Sequence, residues 1–316
     1  MAAPDITVDT TVVFGEALVD DFATEQVVGG APFNVARHLA AFMASNLMIT
    51  RVGEDRNGES VRAEFERFAM SQAGLQRDAI EETGRVLVER TAKGHRFVIV
   101  PNQAYDYIER EAALKALSGV TPAAIYFGTL AQRNERSRGT LQALLAATQG
   151  TQAIRFLDLN LRDGQVGERT VFHALHAADI AKVNEEELQA LFGWYFQLGP
   201  NDPPMAADET RSACAGLVQM FGLQALIVTL GHRGSVYFGR EGVAIDTRDT
   251  PAPPFVIDTV GAGDAFSAIF LLGRMRGWPL ELTLARANEF AGAICAIPGA
   301  VPRDLGFYDK WMARWR

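Results

Sequence analysis

The sequence predicts an α/β fold of three layers, a central and mostly parallel sheet covered by helices on both faces. Two observations carry this reading. Short apolar runs bounded by Gly or Asp recur along the chain, and segments of helical period alternate with them. The length is sufficient: 316 residues, 48% hydrophobic and 22% charged, bury a large core.

Taken in order, the runs are Thr11–Phe14, Leu47–Val52, Ala124–Gly128, Ala153–Leu157, Ile180–Val183 and Ala225–Thr229. Each is apolar throughout or nearly so, as a strand buried on both faces must be. The helical segments between and after them are Val35–Met43, Gly58–Ala73, Ser137–Thr148, Thr170–Ala177, Glu185–Phe192 and Glu209–Phe221, with Asp264–Arg276 and Leu280–Ala296 closing the chain. Strand and helix in alternation make βαβ units and a parallel sheet. We read residues 1–316 as one domain.

Gly84–Tyr107 breaks the alternation. Two amphipathic stretches, Arg85–Thr91 and His95–Val100, flank a turn at Lys93-Gly94 and predict an inserted hairpin. Such an insert serves as a lid, a homodimer contact or edge decoration. Its aromatic residues Phe97, Tyr105 and Tyr107 either close over a ligand or pack. Gly199–Pro204 reads as a surface loop.

The charge balance, 30 Lys and Arg against 38 Asp and Glu, gives −8. No basic face is available for nucleic acid or an anionic membrane, so a phosphate ligand must be held locally by amides, one or two cations or a metal. Cys214 and Cys295 match no metal-ligand spacing and read as buried packing thiols. The first eleven residues lack the basic and apolar regions of a signal peptide, and no apolar run is long enough to span a membrane. Together these predict a cytoplasmic protein.

Asp258-Thr259-Val260-Gly261-Ala262-Gly263-Asp264 runs straight into an apolar helix. The amides of Gly261, Ala262 and Gly263 stand unobstructed at a helix start, which makes an anion site. Asp264 beside that site either takes a proton from an attacking group or caps the helix. No GxxxxGK[ST] or GxGxxG motif accounts for the phosphate chemistry. Nearer the start, Asp20, Gly29, Gly30 and Asn34 combine close backbone approach with acceptors and donors suited to vicinal hydroxyls, or form a turn and a helix cap. Asn184 with Glu187 has the spacing of a capping box.

Three segments, Gly-Gly-Ala-Pro-x-Asn-Val-Ala from Gly29, Asp-Leu-Asn-Leu-Arg from Asp158 and the Asp258–Asp264 stretch, resemble the ribokinase-like (PfkB) carbohydrate kinases, closest to their bacterial fructokinase-like branch. The resemblance runs from Phe14 to about Val301. It implies a ribokinase-like fold with a small β lid at about residues 84–107, and an ATP- and Mg²⁺-dependent sugar kinase. Asp264 would be the base, and the amides of Gly261, Ala262 and Gly263 would neutralise the γ-phosphoryl group. Asp20, Gly29, Gly30 and Asn34 would bind the sugar. Arg162 would stand near substrate or phosphates, or serve as a surface ion-pair partner. The resemblance also implies that Asn184 and Glu187 organise Mg²⁺ through water and that Thr229, Gly231, Gly234 and Asn288 contact the nucleotide. Asp258 and the Val260 carbonyl, with the loop at Gly299, fall where relatives hold a monovalent cation, implying K⁺. His232 reads as exposed and inert.

Two departures from the resemblance bear on the sugar. The stretch between Asp20 and Gly29 is short, and Phe33 stands where a small residue is usual. Fructose is the favoured substrate, with 2-keto-3-deoxygluconate, ribose, another hexose or a nucleoside as alternatives. A regulator that binds sugar or nucleotide without catalysis is the reading from a different class.

Overall fold

In the computed structural model, which describes residues 9–22, 25–91, 94–198, 207–242, 244–247 and 255–315, each apolar run named above is a strand. The fold is the mixed α/β arrangement that the sequence predicts, with a large, mostly parallel sheet and flanking helices. Contacts divide the chain into two compact units. One holds Met1–Ile125, Ala131–Ala153 and Ala300–Arg316, the other Tyr126–Leu130 and Ile154–Gly299.

In the first unit the elements follow as β1 (Asp9–Phe14), β2 (Leu18–Phe22), β3 (Gln26–Gly29), α1 (Ala31–Ala41), β4 (Asn46–Gly53), α2 (Arg56–Arg67), β5 (Leu75–Asp78), β6 (Gly84–Thr91), β7 (Gly94–Ile99), α3 (Arg110–Leu117), β8 (Thr121–Phe127, its last two residues in the other unit) and α4 (Glu135–Ala147). The strand order is β8–β1–β4–β5, with β1 parallel to β4 and β4 parallel to β5. Val12, Val13, Phe14, Met48 and Ile49 are buried, as strands covered on both faces require.

A smaller sheet, ordered β3–β2–β6–β7, carries the predicted hairpin. The insert is larger than Gly84–Tyr107 suggests, because β2 and β3 belong to it: β2 pairs antiparallel with β3 and parallel with β6. Asp20 and Asp21 thus pair with Val27 and Gln26 across the short stretch before Gly29. Residues 92 and 93 of the β6–β7 turn, the Phe97 side chain, and the stretches 199–206 and 248–254 lie outside what is described. Tyr105 and Tyr107 fall in a 3-10 turn at Ala104–Tyr107, beyond the sheet. Tyr105 is fully buried, with the Arg133 guanidinium 5.1 Å from its ring centre. The packing reading therefore holds for Tyr105.

Helix boundaries follow from capping chemistry. Helix α1 begins at Ala31, four residues ahead of expectation, because Pro32 is tolerated in a first turn where no N–H is needed. Helix α2 is capped by Asp55, whose Oδ1 accepts from the Gly58 amide at 2.8 Å. It ends at Arg67, short of the expected Ala73. Ala69 is left-handed at φ +50°, and the Met70 amide turns back to the Phe65 carbonyl at 2.8 Å, a Schellman ending.

The second unit contains β9 (Ile154–Asp158), α5 (Glu168–His176), β10 (Ile180–Asn184), α6 (Glu185–Phe196), α7 (Ala207–Phe221), β11 (Ala225–Thr229), β12 (Ser235–Gly239), β13 (Ala244–Asp246), α8 (Ala262–Met275) and α9 (Leu280–Cys295). Starting from the end of β8, the order is β8–β9–β10–β11–β12–β13. Strands β9, β10 and β11 are parallel, and β12 and β13 add antiparallel at the edge. Cys214 is buried as expected, whereas Cys295 at the end of α9 is half-exposed. Among the described residues no helix is long and apolar enough to cross a membrane.

The end of the chain returns to the first unit, where α10 (Asp309–Arg314) follows Tyr308. His38 of α1 is fully buried there, its Nδ1 2.8 Å from the Tyr308 hydroxyl and its Nε2 3.1 Å from the Ala300 carbonyl. A carbonyl only accepts, so Nε2 carries the proton and Nδ1 accepts from Tyr308. Burial, then the nearby Arg37 charge, pushes the His38 pKa down to about 3. Between there and the ordinary value near 6.5 the unfolded chain binds the extra proton, so stability rises with pH across that window. The stabilisation is complete above pH 6.5 and falls on acidification by at most about 1.4 kcal/mol per pH unit. Urea midpoints between pH 7 and pH 4.5 should fall more steeply for wild type than for His38→Asn. Equal slopes would contradict a buried neutral imidazole.

Candidate active site

In the first unit the two glycines at the end of β3 and the start of α1 set the geometry. Gly30 has φ +105°, and a Cβ there would lie 2.6 Å from the Glu16 carbonyl oxygen. Only glycine fits. A Cβ on Gly29 would lie 2.7 Å from the Asp20 Oδ2, so the β2 carboxylate rests against bare backbone. Asn34, 5% exposed on α1, completes the group, and its amide donates to the Gly30 carbonyl at 2.8 Å. The four predicted residues Asp20, Gly29, Gly30 and Asn34 are therefore brought together. Phe33 points elsewhere, fully buried and stacked on Phe65 of α2 at 5.0 Å between ring centres.

In the second unit the Asp258–Asp264 motif opens α8. Gly261 is the helix cap in the left-handed region at φ +78°, a conformation that favours glycine. The Ala262 amide closes a turn onto the Thr259 carbonyl at 3.3 Å, and the helical ladder starts with Ala265 donating to Gly261 at 2.9 Å. Gly263 and Asp264 lie between them, at the positively polarised end of the helix, where a negative charge is favoured. The half-exposed Asp264 is the third residue of this helix.

Behind this turn lies a buried polar node. Lys182 of β10 and Asp158 of β9 are 4% and 2% exposed, with the ammonium 2.8 Å from both carboxylate oxygens. Asp158 Oδ2 also accepts from the Ser267 hydroxyl at 2.8 Å and the Tyr126 hydroxyl at 3.2 Å. Ser267 lies three residues past Asp264, on the same face of α8. A Cβ on Gly263 would come within 3.3 Å of Lys182 Nζ, so the node reaches to the anion turn. Sequence reading took Ile180–Val183 as an apolar strand and passed over Lys182. The signal was the charge itself, since a lysine on a strand covered on both faces needs a buried partner.

Asn184 and Glu187 form the reciprocal capping box of α6: Asn184 Oδ1 accepts from the Glu187 amide and Glu187 Oε2 from the Asn184 amide, both at 2.8 Å. Glu187 Oε1 also accepts from the Leu161 amide at 2.7 Å. Burial, then the Asp158 charge, pushes the Glu187 carboxyl above its ordinary range, against the pull of Lys182 and the two amides. Each oxygen keeps a second lone pair. Among the described residues no group of three or more His, Cys, Asp or Glu is placed to cage a metal. Carboxylate and amide oxygens such as those of Glu187 and Asn184 are hard donors of the kind that accept from Mg²⁺-bound water.

Arg162 is exposed, two residues past Asn160, which holds a left-handed φ of +41°. Asp258 ties two loops together, Oδ1 accepting from the Val260 amide at 3.0 Å and Oδ2 from the Gly299 amide at 3.1 Å. Thr229 ends β11, and its hydroxyl donates to the Val183 carbonyl at 3.3 Å. Gly231 and Gly234 bracket a 3-10 turn containing the exposed His232. Asn288 of α9 donates to the Thr247 hydroxyl at 2.7 Å, which anchors its amide beside β12.

Removing Lys182 alone strands a buried carboxylate, at a cost of roughly 3–5 kcal/mol. Lys182→Met should therefore lower the urea midpoint sharply, and adding Asp158→Asn should recover most of the loss. A single variant as stable as wild type would remove the node from the account.

A family model described as pfkB family carbohydrate kinase matches residues 5–303. A fructokinase from Klebsiella pneumoniae is 30% identical over 90% of this chain and 95% of its own. Two solved structures share the fold. A Vibrio cholerae fructokinase double mutant in its fructose-, ADP- and potassium-bound form has TM-score 0.74 and 23% identity, covering 93% of this chain and 94% of that one. Aminoimidazole riboside kinase from Salmonella enterica, complexed with aminoimidazole riboside and an ATP analogue, has TM-score 0.77 and 22% identity, covering 97% and 99%. The family match spans nearly the whole sequence, including the Asp258–Asp264 helix start and the glycine pair before α1, and the chain belongs to the pfkB family of carbohydrate kinases.

Proposed function

We propose that this carbohydrate kinase transfers the γ-phosphoryl group of ATP to a hydroxyl of fructose. The observation that carries the reading is a carboxylate, Asp264, in the first turn of a helix that opens on Gly261, Ala262 and Gly263. An acid beside an anion site is unfavourable unless it acts on a proton. Asp264 accepts the proton of the acceptor hydroxyl as its oxygen attacks phosphorus, and ADP leaves in line. The Gly263 and Asp264 amides and the helix dipole stabilise charge on the transferring group. Asp20 accepts from, and Asn34 donates to, neighbouring sugar hydroxyls, with Gly29 and Gly30 allowing close backbone approach.

Asn184 and Glu187 would hold Mg²⁺ through water. The metal supplies charge neutralisation at the phosphate oxygens. Thr229, Gly231, Gly234 and Asn288 form the nucleotide side, and Arg162 reaches toward substrate or phosphates. Asp258 and the Val260 carbonyl form the K⁺ position, supported by the potassium in the Vibrio cholerae fructokinase. The smaller sheet acts as a lid that excludes water, and as a homodimer contact. The similarity to the Klebsiella pneumoniae fructokinase supports fructose as the acceptor.

The test is ADP release across fructose, other hexoses, ribose, 2-keto-3-deoxygluconate and aminoimidazole riboside. Fructose should give the highest kcat/KM, and Asp264→Ala should lower kcat by about 10²–10⁴-fold. Sugar-stimulated turnover undiminished in that variant would remove Asp264 as the base, and turnover with none of the acceptors would favour a binding role. Replacing K⁺ by tetramethylammonium should slow wild type and leave Asp258→Ala unaffected.

A further inference from the structure

Arg37 is an arginine almost wholly removed from solvent, 4% exposed, on the inner face of α1. Burial of a guanidinium is unfavourable, and here it pulls the pKa down despite the Glu64 charge. Three acceptors receive it. Nη1 donates to Glu64 Oε2 at 2.7 Å, and Nη2 donates to the Val28 carbonyl at 3.0 Å and to Asn34 Oδ1 at 2.5 Å. The Phe33 ring, centred 4.8 Å from the guanidinium carbon, covers one face. Phe33, the departure at a position where a small residue is usual, is therefore part of this arrangement.

Two of the three acceptors belong to the sugar-side group. Val28 precedes Gly29 and Gly30, and Asn34 is the amide beside them. A guanidinium only donates, so the atom of Asn34 facing it must be the carbonyl oxygen, and the reverse orientation would set an NH₂ against a cation. With Oδ1 held by the guanidinium, the Asn34 NH₂ lies on the other branch of the side-chain amide, where it can only donate.

We infer that Arg37 is a positioning residue that sets acceptor specificity: it fixes Asn34 as a hydrogen-bond donor, so the site selects a ligand oxygen that accepts there. The inference rests on the reading of Asp20, Gly29, Gly30 and Asn34 as the sugar side. With Asp20 as acceptor, the pair recognises neighbouring oxygens in a fixed sense, one donating and one accepting. Glu64 does not depend on Arg37 alone, because Arg67 also donates to both of its oxygens. Loss of Arg37 therefore leaves Glu64 paired.

The experiment compares wild type, Arg37→Met and Arg37→Lys with fructose and with fructoses in which each ring hydroxyl in turn is replaced by H or by F, which accepts but does not donate. Arg37→Met should raise the fructose KM about 10- to 100-fold, with little change in kcat or the ATP KM, and Arg37→Lys should recover part of the loss. At one ring position wild type should tolerate F better than H, and Arg37→Met should lose that preference. An unchanged fructose KM in a folded variant, or kcat and both KM values moving only with the folded fraction by urea denaturation, would overturn the inference. A second readout needs no sugar: the Asn34 side-chain amide resonances, assigned by their loss in Asn34→Ser, should shift toward exposed-amide values in Arg37→Met. If wild type turns over no sugar, the kinase reading fails, and the resonances alone decide whether Arg37 holds Asn34. No shift would overturn it.

Discussion

The second unit depends on one buried ion pair. Asp158 accepts from Lys182, Ser267 and Tyr126, which stand on β10, α8 and the end of β8, so one carboxylate joins four elements. An isolated charge in such a place is prohibitive, and a paired one with its lone pairs satisfied is tolerable. Apolar packing is non-directional and would let α8 slide or rotate by small amounts. A hydroxyl held at 2.8 Å by a fixed carboxylate restrains that rotation. Because Ser267 sits one turn below Asp264, the restraint acts on the first turn of the helix, where Asp264 stands.

Arg37 has the same logic in the first unit. A buried cation meets the Asn34 amide oxygen, the carbonyl before the glycine pair and Glu64. In both units a buried charge lies behind the residues assigned to ligands, and ordinary core surrounds it: Phe33 and Phe65 in one, Phe156 and Phe270 in the other. These residues are held by groups that have few alternative partners, which would limit the reorganisation needed on binding in the proposed sites.

The sequence revealed the main strands and helices because burial on both faces forces uninterrupted apolar runs, and these leave little room for other readings. It did not reveal β2 and β3. Leu-Val-Asp-Asp-Phe and Gln-Val-Val-Gly are short and half-exposed, and their pairing with β6 is non-local. The early end of α2 was hidden because Ala69 adopts a left-handed conformation without glycine or asparagine to announce it. The close backbone approach at Gly29 and Gly30 and the helix start at Gly261 were legible, since such positions have few alternative residue types. Lys182 and Arg37 were not, because a lone cation in an apolar stretch shows no partner until the fold supplies Asp158 or Asn34.

The net charge of −8 acquires a sharper meaning from this arrangement. A basic patch would attract phosphate at long range, but Lys182, beside Gly263 at the start of α8, is already neutralised by Asp158. On the proposed reading, what the fold offers the phosphate beside Mg²⁺ and Arg162 is local: the amides at the start of α8 and the helix dipole, worth about half an elementary charge at its N-terminus. Such dipoles act only at contact range and only when oriented. A site built on them needs the rotation of α8 fixed more than it needs positive charge, and the Ser267–Asp158 bond supplies that.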